Sequence, residues 1–152
     1  MKKGKIIAFF VLIYFILYFL QTNFFSWFNI NGVQPNLFVV LVLFIGLYTN
    51  SRVGQISGFV IGLVTDCLYS ESIGISAVLF MFIGFCGELL QKRFPKNSKI
   101  TLIIMSSITT AVYEVVRVLY RLIFFSSQMN FLAFVMTLVI ELIFNALLII
   151  II

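Results

Sequence analysis

Residues 53–78 read VGQISGFVIGLVTDCLYSESIGISAV. Gly54, Gly58 and Gly62 fall four residues apart, and Asp66 continues the interval. On an α-helix these four stack on one face. In a bilayer, small residues at that interval let a second backbone come close, and tight packing replaces the hydrophobic effect between helices. A carboxylate on the same stripe is costly in lipid, so it faces protein or a polar cavity. The stripe predicts a membrane helix buried against its neighbours.

The rest of the chain has the composition to match. Of its 152 residues, 62% are hydrophobic and only 10% are charged, and the mean hydropathy is +1.19. Soluble domains carry roughly 25% charged residues. The composition is that of an integral membrane protein with no residues left for a soluble domain. The net charge of +5 sits in short clusters between apolar runs, with no long basic face to track phosphates, which argues against nucleic-acid binding. The sequence has no His, and its two cysteines, Cys67 and Cys86, lie in apolar runs. They read as small buried hydrophobes rather than as metal ligands or a disulfide. The first residues, Met1-Lys2-Lys3-Gly4-Lys5, precede an apolar run with no small-x-small cleavage site after it. They predict an uncleaved first membrane helix.

Six apolar segments follow one another. The first runs from about Ile6 to Leu20. The second opens at Pro35, a favourable first helical position, and closes near Tyr48. The third covers about Val53 to Tyr69, the fourth Ile73 to Leu90, the fifth Ile100 to Phe125 and the sixth Phe131 to Ile152. The second is short, because a crossing takes roughly 20 residues. Lys2, Lys3, Lys5, Arg52, Lys92, Arg93, Lys96 and Lys99 all fall on one side if the six segments cross in turn. The loops on the other side, 22–34, 70–72 and 126–130, have no Lys or Arg. By the positive-inside rule both termini are expected in the cytoplasm. Phe24, Phe25, Trp27 and Phe28 then form an aromatic belt at the outer interface.

Ionisable residues within the apolar segments are the candidate functional groups. Asp66 lies one turn from the outer end of the third segment. It can cap the next helix, bond Ser70, Ser72 or a loop amide, or contact a partner or ligand. Glu114, Arg117 and Arg121 share one face of the fifth segment, with Tyr113 and Tyr120 beside them, and Glu114 and Arg117 can pair. Helix rise puts Glu141 of the sixth segment at the depth of Arg117. A buried network of Glu114, Arg117 and Glu141 is expected, as internal glue or as the lining of a polar pocket open to the outside. Tyr14, Tyr18 and Gln21 line one face of the first segment, Asn145 adds an amide to the sixth, and Glu88 can pair with Lys92 at i,i+4. No Ser-His pair, GxSxG, paired-carboxylate motif or phosphate loop is present, so no catalysis is expected.

Gln34-Pro35-Asn36 opening the second segment, then Gly58-Phe59-Val60-Ile61-Gly62-Leu63-Val64-Thr65-Asp66, then Gly74 after a short loop, together resemble the bacterial rod-shape-determining MreD family. The six-helix layout and small size fit as well. The resemblance implies a single domain, residues 1–152. It would be an all-α integral membrane bundle of six helices with both termini cytoplasmic, similar to the substrate-binding subunits of energy-coupling-factor transporters. It implies a non-enzymatic scaffold of the cell-elongation machinery in the cytoplasmic membrane, supporting cell shape and lateral peptidoglycan synthesis. The implied partners are MreC, MreB, RodA, a class B penicillin-binding protein and membrane lipid. No cofactor, metal or nucleic acid is implied. The candidate partner or pocket residues are Pro35, Asn36, Gly54, Gly58, Gly62, Asp66, Gly74, Glu114, Arg117, Arg121 and Glu141. The alternative is a small-molecule subunit holding a vitamin-like solute. A high-affinity solute site needs convergent polar and aromatic groups. The outer loops, whose one charge is Glu71, are poor material for it.

Overall fold

The structure is a computed structural model and describes residues 2–28, 36–69, 73–94, 98–126, 128 and 130–151. Six α-helices follow in chain order: α1 (Lys2–Asn23), α2 (Phe38–Tyr48), α3 (Ser51–Tyr69), α4 (Ile75–Arg93), α5 (Lys99–Phe125) and α6 (Phe131–Ile151). A 3-10 turn, Phe25–Phe28, follows α1. There is no strand among the described residues. Each apolar segment of the sequence became a helix. The largest shift of a boundary is at α1, which begins at Lys2, four residues before the expected start, and α2 begins at Phe38, three residues after its own. Pro35 itself lies outside the described residues, as do Gln34, Ser70, Glu71, Ser72 and Lys96.

Helix α2 is the centre of the molecule. Nine of its eleven residues are buried, among them Phe38, Val39, Val42 and Leu43. A helix that is apolar all round belongs inside, and α3, α4, α5 and α1 pack about this one. Its eleven residues span about 16 Å, about half of a ~30 Å hydrocarbon core. Among the described residues, three helices are long and apolar enough to cross a membrane: α4, α5 and α6. The stretch Ile7–Asn23 of α1 and helix α2 are apolar but shorter. Six similar crossings are thus not what the helices display. The second segment is a short core helix, and α3 exchanges apolar length for its glycines, Ser57, Gln55 and Asp66.

Backbone contact between α2, α3 and α4 explains the glycines. A Cβ added at Gly54 would lie 2.7 Å from the carbonyl oxygen of Gly84 on α4 and 3.0 Å from Cα of Gly46 on α2. A Cβ on Gly58 would strike the Phe80 carbonyl, and one on Gly87 would lie 2.8 Å from the Gly46 carbonyl carbon. The stripe read on α3 therefore has a counterpart on α4 in Gly84, which meets Gly54, while Gly87 of α4 meets Gly46 of α2. No side chain separates the helices, so the gain is close dispersion contact along both backbones.

Helix α1 is the least embedded. Phe10, Ile13, Tyr14, Leu17 and Tyr18 turn toward the core, with the Tyr14 ring stacked on Phe38 at 5.1 Å. Phe9, Leu12, Phe15 and Phe19 on its other faces are exposed. Trp27 and Phe24 beyond it are also exposed, and the side chains of Phe25 and Phe28, expected in the same belt, lie outside the described ones. Exposed apolar side chains continue around α4, α5 and α6. Such a surface suits lipid, where apolar groups need no cover. The two cysteines, expected buried, lie exposed on it.

Candidate functional site

The polar groups converge where α2 begins. Asn36, 4% exposed, is bonded in three directions. Its Oδ1 accepts the N–H of Phe38 at 3.1 Å, which caps the first turn of α2. Its Nδ2 donates to the Tyr113 hydroxyl on α5 at 3.0 Å. Its backbone N–H donates to Glu141 Oε1 on α6. The next amide, Leu37 N–H, donates to Gln21 Oε1 on α1 at 3.2 Å. A helix start leaves orphan N–H groups and a partial positive charge. Here side chains from two other helices satisfy them, and one is a carboxylate. Glu141 lies about 15 Å along α6 from its Phe131 end. The start of α2 is therefore near mid-depth of that helix.

Asp66 forms a second cap. Its Oδ2 accepts the backbone N–H groups of Gly74 at 2.8 Å, Ser76 at 3.0 Å and Ala77 at 3.3 Å. The glycine stripe of α3 ends in a carboxylate seated on the N-terminus of α4, where the helix dipole favours negative charge. Gly74 has φ 113°, a conformation that glycine adopts at little cost, and it turns the amide toward Asp66. Of the readings open in the sequence, capping is the geometry found.

Tyr113 connects the two caps. Its hydroxyl lies 3.2 Å from Ser76 Oγ and accepts from Asn36; the residue is 2% exposed and its ring lies against Phe80 at 5.3 Å. A continuous path of polar contacts therefore runs from Asp66 on α3 through Ser76 on α4, Tyr113 on α5 and Asn36 before α2 to Glu141 on α6. Nearer the Lys99 end of α5, Asn145 Nδ2 of α6 donates to Thr110 Oγ1 at 2.7 Å.

The charged residues of α5 are arranged differently from expectation. Arg117 Nη1 lies 3.4 Å from Glu114 Oε1, as the i,i+3 spacing predicts. No ion pair joins Arg117 to Glu141 among the described residues; the start of α2 takes Glu141 instead, through the amide of Asn36, and no property of the α6 sequence announces that. A double-mutant cycle in detergent checks this arrangement. Glu114→Gln with Arg117→Gln is expected to show a coupling of roughly 0.5–3 kcal/mol, larger than Glu141→Gln with Arg117→Gln. The reverse order would mean that Glu141 is the true partner.

The structure thus gathers Asn36, Asp66, Gly74, Glu114, Arg117 and Glu141, while Gly54, Gly58 and Gly62 form the packing stripe below and Arg121 sits exposed one turn beyond Arg117. Sequence reasoning passed over Ser76 and the glycines of α4 and α2. The G-x-x-G of Gly84 and Gly87 was a readable signal for α4; Ser76 carried none. Glu88 and Lys92 pair at 2.8 Å as expected. Among the described residues no three His, Cys, Asp or Glu side chains gather in a metal-binding group. What the arrangement does chemically is fix helix starts: carboxylates bind amides, and amides and hydroxyls bind each other.

A sequence profile described as rod shape-determining protein MreD matches residues 3–152. Neither the curated proteins nor the solved structures contain a match to the chain.

Proposed function

Since the chain belongs to the rod shape-determining protein MreD family, we propose that it is a non-enzymatic membrane scaffold of the bacterial cell-elongation complex. In this reading it binds MreC and works alongside MreB, RodA and a class B penicillin-binding protein in lateral peptidoglycan synthesis. It is a single six-helix domain in the cytoplasmic membrane, with both termini on the cytoplasmic side. One observation carries the scaffold reading: Gln21, Asp66, Ser76, Tyr113 and Glu141, from α1, α3, α4, α5 and α6, each bond another polar side chain or a helix-start amide, with Asp66 Oδ1 and Glu141 Oε2 left without a partner among the described residues. A rigid junction of this kind holds helices at fixed positions, as a platform for a single-span partner requires. A solute-binding subunit would need those groups to converge on a ligand instead.

The test is recovery of partners from membranes. A tagged chain, extracted in mild detergent, is expected to bring down MreC in stoichiometric amount, and a cysteine placed at Gln128 in a cysteine-free background to react with an impermeant reagent from the periplasmic side only. Absence of MreC from the extract, or labelling of position 128 from the cytoplasm, would overturn the respective part of the proposal.

A further inference from the structure

Eight of the ten Lys and Arg residues lie at one end of the helices in the six-segment reading; Arg117 and Arg121 are the other two. Cations that must cross the membrane resist translocation, so a pair in the far half of α5 calls for a role. Their depth is informative. Lys99 opens α5 close to Lys92 and Arg93, which close α4. From Lys99, Arg117 is 18 residues and Arg121 is 22 residues along the helix, rises of about 27 and 33 Å. A hydrocarbon core is about 30 Å thick. Arg121 therefore reaches the phosphate level of the opposite leaflet, and Arg117 lies one turn below, within snorkelling reach.

The local arrangement separates charge. Buried residues of α5 end at Glu114, which is 1% exposed. Above it the same face emerges: the Arg117 side chain is 28% exposed and Arg121 is exposed. Glu114 holds Arg117 and lies within electrostatic reach of Arg121. Glu114 is below, buried, and the arginines are above, Arg117 partly exposed and Arg121 exposed. Leu122, Phe124 and Phe125 are exposed beside them, which offers apolar surface to acyl chains. Two guanidinium groups one turn apart suit a phosphate, to which arginine donates in bidentate fashion.

We propose that Arg117 and Arg121 bind the phosphate of an anionic lipid headgroup in the leaflet away from Lys99. The depth assignment rests on the membrane placement under Proposed function. The charge and depth together favour a lipid phosphate over a partner's carboxylate, because phosphates occupy that level all around the protein.

Native mass spectrometry of the full chain released from vesicles of phosphatidylglycerol and phosphatidylcholine tests this. The wild type is expected to retain phosphatidylglycerol over phosphatidylcholine by about fivefold, the effect of one basic residue near a lipid surface. R121Q is expected to lose much of this preference, and R121K to keep most of it. Equal retention by the wild type, or an unchanged preference in R121Q, would overturn the proposal. Retention of inorganic phosphate alone, lost in R121Q, would assign the site to a soluble anion and overturn the lipid source. Loss of MreC from R121Q extracts with the lipid preference intact would assign the arginines to a partner's carboxylate. Failure of the wild type to recover MreC, with the lipid preference lost in R121Q, would sink the scaffold reading and leave this one standing.

Discussion

Gly62→Leu is expected to destroy the α3–α4 contact and to lower stability in detergent by about 3 kcal/mol or more, the upper end of overpacking costs. A Cβ at this position would fall 2.5 Å from the carbonyl oxygen of Ser76 and 2.6 Å from the amide nitrogen of Ala77. Both are backbone atoms at the capped start of α4, so no rotamer change can make room. The helices must separate, and separation withdraws the Ser76 and Ala77 amides from Asp66 one turn away. Leucine's better helix propensity, worth about 1 kcal/mol over glycine, does not offset this. Gly62→Ala should give an intermediate loss. Gly4→Leu is the control, because a Cβ there meets nothing within 4 Å. Thermal unfolding in detergent reads all three. If the Gly62→Leu and Gly4→Leu variants melt alike, α3 and α4 do not meet at this position. The MreC recovery assay adds a functional reading: the Gly62→Leu chain should insert in the membrane but fail to bring the partner down.

Asp66→Ala is the second large effect. The side chain is wholly buried, and one oxygen accepts three amides. Removing it leaves three donors without an acceptor, the buried amides of Ser76 and Ala77 and the half-buried amide of Gly74, at about 1 kcal/mol each, for a total of about 2–3 kcal/mol. The charge–dipole term at the start of α4 goes with it. Asp66→Asn keeps an acceptor oxygen of the same shape and loses only the charge, so its cost should be nearer 1 kcal/mol. The ratio of the two is the diagnostic quantity. A residue serving only as a ligand or partner contact would leave the melting temperature of both variants near wild type while abolishing partner recovery. A cap shows the graded loss of stability. Gly74→Ala should mimic part of the effect, since an L-residue at φ 113° is strained.

Much of this architecture was already present in residue order. The helices follow from apolar runs, and the close approach of α3 to a neighbour follows from Gly54, Gly58 and Gly62. Their interval sets the face, and residues this small permit backbone contact. The capping role of Asp66 was open on the same grounds, since a buried carboxylate near a helix end has few affordable partners. The i,i+3 pair of Glu114 with Arg117 is local and needed no fold.

The junction around Asn36 was not accessible in this way. Its partners lie 77 residues away at Tyr113 and 105 away at Glu141, and a sequence gives depth along one helix but not the azimuth of one helix about another. Depth matching put Arg117 beside Glu141; only packing revealed that the start of a half-length helix stands in that role and takes Glu141 for its own amide. Local spacing by itself determined the helices, the buried stripe and the charge asymmetry of this chain. The tertiary structure decided which polar group answers which, because hydrogen bonds are directional and short, and the sites of donors and acceptors in space are fixed only once the glycines have brought the helices together.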